Sequence, residues 1–84
     1  MTEKKIGTVT HYYGNLHVAG VSITDGALHK GDRIHIVGHT SDFEQKVRSI
    51  EIDHESVDVA KKGDQIGIIV TEHAREHDAV YKVN

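Results

Sequence analysis

A seven-residue phrase, Lys-Gly-Asp-x-Ile-x-Ile, is written twice in this chain, at Lys30–Ile36 and again at Lys62–Ile68. It couples a turn to a strand. Glycine tolerates a positive φ, so Gly31 and Gly63 suit a tight reversal. The aspartate that follows, Asp32 or Asp64, can accept hydrogen bonds from nearby backbone amides and finish that reversal. The two isoleucines then fall on one side of an extended chain, because successive strand residues point to opposite faces. Lys30 and Lys62 stay in water, their stems lying over apolar surface. A chain that turns sharply and then buries every second residue is a β-sheet chain. Nothing in the phrase requires a ligand, since a phosphate cradle carries more glycines and opens a helix. Outside the phrase the chain shows no repeat.

The rest of the sequence agrees with that reading. Apolar residues recur at period two, β-branched residues dominate them, and no stretch shows a helical period. Six runs are predicted as strands: 4–13, 16–24, 33–38, 43–53, 65–72 and 78–83. Gly14-Asn15 suits a two-residue hairpin with positive φ at its first position, pairing Tyr13 with Leu16, Tyr12 with His17 and His11 with Val18. Asp25–Leu28 reads as a turn and His39–Asp42 as a loop. Val47 and Ile50 break strict alternation. A β-bulge near Ser49 would return both to the core and leave Lys46, Arg48 and Glu51 outside. Short strands at close spacing fit one small domain over residues 1–84, closed into a barrel that removes exposed sheet edges.

Several function classes are disfavoured. No cysteine is present, which excludes disulfides, thiolate metal sites and cysteine nucleophiles, and fits a reducing cytoplasm. The longest apolar run, Ile66–Val70, is far too short for a membrane span. Ten Lys and Arg against thirteen Asp and Glu give a net charge of −3 with histidine neutral, whereas dedicated nucleic-acid binders are usually basic. Protonating all eight histidines would give 10 + 8 − 13 = +5.

"GTVT" at Gly7–Thr10, "KGDRIHIVG" at Lys30–Gly38, "KVRSIEI" at Lys46–Ile52 and "AKKGDQIGIIV" at Ala60–Val70 follow one another as in the second domain of elongation factor Tu. The chain resembles that domain, the β-barrel shared by translational GTPases. "VTHYYG", "GHTSDFEQKV" and "REHDAVYKV" are similar to small stand-alone translation elongation factor-like proteins. The C-terminal barrel of some collagenase-like peptidases, a family linked to RNA modification, is also similar. The resemblance implies an all-β fold, a closed six-stranded Greek-key barrel of the translation-factor domain-two type. In the large factors this barrel contacts tRNA and the small ribosomal subunit. No G-x-x-x-x-G-K-[ST] or guanine-recognition motif occurs, so neither a GTPase domain nor bound GTP is expected.

The leading expectation is therefore a non-enzymatic, cytoplasmic binding module. Its partner would be a protein or ribonucleoprotein of the translation apparatus, with tRNA or rRNA contact a weaker possibility. A second reading is an accessory or regulatory barrel for an RNA-modifying or collagenase-like peptidase enzyme. A third, a metal- or pH-responsive module, rests on the histidines. Candidate contact residues are Tyr12, Tyr13 and His17 at the hairpin, where rings could stack, and Lys46 with Arg48, which could hold phosphates. "HAREH" at His73–His77 matches H-x-x-E-H, but it lies between strand patterns without room for a helix, so it reads as a polar loop. His11, His17, His29, His35, His39 and His54 show no ligand spacing along the chain, so any metal site among them would have to be assembled across strands. No cofactor, metal or catalytic set is predicted.

Overall fold

The computed structural model describes residues 2–83 and contains ten strands and, among those residues, no helix. They are β1 Glu3–Tyr13, β2 Val18–Ile23, β3 Ala27–His29, β4 Arg33–Val37, β5 Asp42–Lys46, β6 Ile50–Ile52, β7 Glu55–Val57, β8 Val59–Lys61, β9 Gln65–Ile69 and β10 Ala79–Val83. Eight form one antiparallel sheet in the order β5-β4-β10-β1-β2-β9-β6-β7, and β3 pairs with β8 separately. The all-β expectation holds. The closed six-stranded barrel does not, because the ladder is open at β5 and β7 and the strands number ten.

The departures have local causes. The backbone of Val47 bonds to the turn around Asp32 instead of a flanking strand, so the expected strand 43–53 splits into β5 and β6. Both Val47 and Ile50 still reach the core, while Lys46, Arg48 and Glu51 stay exposed. Each Lys-Gly-Asp turn is preceded by a three-residue strand, β3 or β8, which pair through Leu28 and Ala60. Where β5 ends the ladder, the buried Gln45 amide takes over. Its Nε2 donates to the Ile69 carbonyl at 2.8 Å and its Oε1 accepts from the Thr71 amide at 2.8 Å.

The hairpin differs in the same measurable way. Tyr13 pairs with Val18, Tyr12 with Ala19 and His11 with Gly20, across a four-residue loop Gly14–His17. The positive φ falls on His17, at 55°, and not on Gly14. Successive bonds from Leu16 N to Tyr13 O and from His17 N to Gly14 O wind the loop as two overlapping turns of the 3₁₀ type, which consume two residues more than a two-residue hairpin. A slip of two preserves every facing, whereas a slip of one would reverse them.

Three turns of one design organise the core. At His29–Asp32, the His29 amide donates to Asp32 Oδ2 at 2.8 Å, the Asp32 amide donates to the His29 carbonyl at 3.0 Å, and Gly31 has φ 97°. At Lys61–Asp64 the same bonds are 2.8 and 2.9 Å and Gly63 has φ 98°. At Arg75–Asp78 they are 2.8 and 3.1 Å, and the left-handed residue is His77, φ 75°. Each turn also grips one residue of a distant segment by a reciprocal backbone pair. Gly31 and Asp32 hold Val47, Gly63 and Asp64 hold Ile23, and His77 and Asp78 hold Val9. All three gripped side chains are buried. Each turn then releases a strand (β4, β9 or β10) whose second residue, Ile34, Ile66 or Val80, enters the core. The "HAREH" loop therefore runs into a third copy of the turn, without its lysine or glycine.

Candidate functional site

Antiparallel pairing places His11, Gly20, Gly67 and Glu51 in one row across β1, β2, β9 and β6. The two central glycines carry no side chain, so the row is hollow. An added Cβ would meet Thr10 Oγ1 at 3.2 Å from Gly20 and Val18 Cγ1 at 3.4 Å from Gly67. The result is a groove of about 410 Å³. Its next row is apolar: Tyr13 pairs with Val18, and Val18 with Ile69. Tyr13 is 48% exposed, Ile69 49%, and Leu16 on the adjoining loop 67%. Glu51, Asp53 and His54 line the far side. Asp53 and His54 both adopt left-handed backbone, φ 52° and 67°, as a two-residue type I′ turn between β6 and β7 requires. No lysine or arginine lines the groove among the described residues, so its character is apolar and acidic.

The sequence-derived contact residues do not form one set. Tyr13 lines the groove, its ring tilted against His11 at 4.4 Å between centroids. Tyr12 turns away, packs against the core and stacks on His73 at 4.3 Å. His17 closes the loop, its carbonyl accepting from the Val70 amide at 2.8 Å. Lys46 sits on β5 opposite Arg33, and Arg48 lies exposed between β5 and β6; neither lines the groove. Gly31, Asp32, Gly63 and Asp64 build the two turns described above.

A second cluster was hidden from sequence reasoning. His35, on the outer face of β4, has Nδ1 at 3.0 and 2.9 Å from the two carboxylate oxygens of Glu3, on β1. Its Nε2 lies 2.5 Å from Asp42 Oδ1, on β5. The bond to Asp42 and then that to Glu3 raise the imidazole above its ordinary value, against a smaller opposing effect of burial. Glu44 pairs directly across from His35 and accepts a hydrogen bond from Arg33 Nε at 3.1 Å. The alternation of Ile34 and Ile36 predicts that His35 faces outward. Which carboxylates meet it depends on strand order.

Residues 17–79 match the family model described as elongation factor Tu domain 2. Over 78 residues, 92% of the chain, there is 37% identity to an uncharacterized protease of Methanocaldococcus jannaschii and 38% to a collagenase of Porphyromonas gingivalis. The match covers 19% and 22% of those proteins, so the chain spans about a fifth of the curated relatives it matches. Among solved structures, it superposes on the C-terminal domain of a Geobacillus thermoleovorans protein assigned as a U32 peptidase. That TM-score is 0.89 at 19% identity, covering 96% of this chain and 93% of that one. On GDP-bound aIF5B from Aeropyrum pernix the TM-score is 0.65 at 15% identity, covering 95% of this chain and 14% of the other.

These relatives overturn the expectation of a module serving the translation apparatus. The relatives matched over 78 residues are named protease and collagenase. Translation factors share the fold, and one fold hosts many functions. The acidic groove agrees, because a surface for tRNA or rRNA needs cations to neutralise phosphates.

Proposed function

The chain belongs to the elongation factor Tu domain 2 family, and on that premise we propose that it serves a collagenase-like, U32-type peptidase as a non-catalytic accessory domain. The observation that carries this reading is the 78-residue similarity to proteins named protease and collagenase. The row of Tyr13, Val18 and Ile69, with Leu16 beside it, supplies an exposed apolar strip against which another protein surface can pack. The glycine floor lets a side chain of that partner approach the sheet backbone, and Glu51 and Asp53 favour a partner that presents cations at the rim.

The test titrates the purified protein into a collagenase-like catalytic chain from which this unit has been removed, following complex formation by calorimetry and peptide hydrolysis in parallel. A saturable complex with altered hydrolysis is expected. Absence of a complex, together with co-sedimentation of the protein with ribosomes, overturns the reading.

A further inference from the structure

We propose that Glu3, His35 and Glu44 form a site for a divalent metal ion of the zinc class, with Asp42 orienting the imidazole. One ligand atom from each of the three residues lies within 4.8 Å of the others. Zinc bonds nitrogen and oxygen ligands at about 2.0–2.2 Å, so donors around one ion stand roughly 3.3 Å apart. Rotation of two flexible, partly exposed glutamates closes that difference. The strands need not move.

The arrangement around His35 is also the one a ligated histidine uses. Metal-bound imidazole usually donates its second ring N–H to a carboxylate, which fixes the ring. Here Nε2 faces Asp42 Oδ1, leaving Nδ1 turned to the Glu3 carboxylate, on the side where an ion would sit. The donors are carried on β1, β4 and β5, and His35 and Glu44 are directly paired across the ladder, so the backbone spacing is set by the sheet. Glu44 must release Arg33, but that pair is exposed and such contacts cost little to break. One imidazole with two carboxylates is a mixed nitrogen–oxygen set that suits zinc or manganese better than calcium or magnesium. Water would complete the coordination shell. The site lies on the β1–β10–β4–β5 part of the sheet and shares no lining residue with the groove.

The experiment titrates zinc chloride into the full chain at about pH 8, because Asp42 and Glu3 hold the His35 proton more tightly than usual and the ion must displace it. Calorimetry gives the stoichiometry, and histidine ring resonances report the ligand. One zinc per chain with micromolar affinity is expected, with the His35 ring signals shifting first. Glu3→Gln, His35→Ala and Glu44→Gln should each weaken binding by about tenfold or more, and Asp42→Asn by roughly tenfold through loss of ring orientation. Glu44→Gln is the variant least able to disturb folding, because the side chain is exposed. Its thermal unfolding should match the parent. Saturation only at millimolar zinc, binding that survives both His35→Ala and Glu44→Gln, or a first response from other histidines overturns the proposal.

Discussion

Gln45 is bonded to Ile69 as a neighbouring strand would be. Its Nε2 lies 2.8 Å from the Ile69 carbonyl, and its Oε1 accepts the Thr71 amide at 2.8 Å. A side-chain amide thus offers the donor and acceptor of a peptide group where the β5 ladder stops. Gln45→Ala should destabilise the fold by about 1–3 kcal/mol, because it leaves part-buried backbone groups without partners. Urea unfolding measures this. Hydrogen exchange gives a local check: the Thr71 amide should lose protection in the variant before its neighbours on β9 do.

The third turn predicts substitutions of opposite sign. Gly31→Ala or Gly63→Ala should cost roughly 1–2 kcal/mol, because a Cβ is placed in a left-handed conformation. His77 already bears that strain. His77→Gly should therefore stabilise the protein, by about 0.5–1 kcal/mol after the entropy that glycine adds to the unfolded chain. Asp78→Ala should destabilise, since the carboxylate accepts the Arg75 amide and is buried. A thermal-melt series on the four variants decides whether the three turns are energetically alike.

These turns also show what the sequence could and could not reveal. Gly31-Asp32 and Gly63-Asp64 announce themselves because a left-handed residue and an aspartate acceptor are both explicit. The third copy is silent because His77 supplies the left-handed residue and nothing around it matches the lysine. Strands β3 and β8, at three residues each, are too short for a period of two to register. The hairpin facings were legible and its register was not, because loop length is decided by hydrogen bonds within Gly14–His17. Of the candidate contact residues, Tyr13 reached the groove through the same alternation that turned Tyr12 toward His73. Glu3, His35, Asp42 and Glu44 converge only once β1, β10, β4 and β5 lie side by side.

His35 should make stability depend on pH. Around it stand Glu3 and Lys5 on β1, Tyr81 on β10, Asp42 and Glu44 on β5, and Arg33 on its own strand. Because the folded imidazole is raised above the unfolded value of about 6.5, the folded state holds its proton more tightly. The stabilisation is complete below about pH 6.5 and is lost as pH rises through the raised folded value. Asp42→Asn removes the largest cause of the shift. In chelator-containing buffer, the ring titration of His35 should move toward the ordinary value in that variant, and stability should decline less with rising pH. Identical titration in both proteins would show that the Asp42 bond does not operate in solution.

The apolar strip beside the groove gives the most direct test of the proposed docking. Leu16 and Ile69 are largely outside the core, so Leu16→Asp and Ile69→Asp should each change stability by less than about 0.5–1 kcal/mol. At an interface the same changes bury a charge against an apolar surface, and affinity should fall by tenfold or more. Gly67→Val works from the other side. Its Cβ meets Val18 Cγ1 at 3.4 Å, an ordinary contact, and a β-branched residue suits a strand, so the fold should be unharmed. The new side chain would nonetheless fill the hollow centre of the row. If partner binding depends on the groove, Gly67→Val should weaken it as strongly as Ile69→Asp while leaving the melting temperature equal or higher. Binding that survives Gly67→Val but not Ile69→Asp would place the contact on the strip alone. Binding that survives all three would move it to another face.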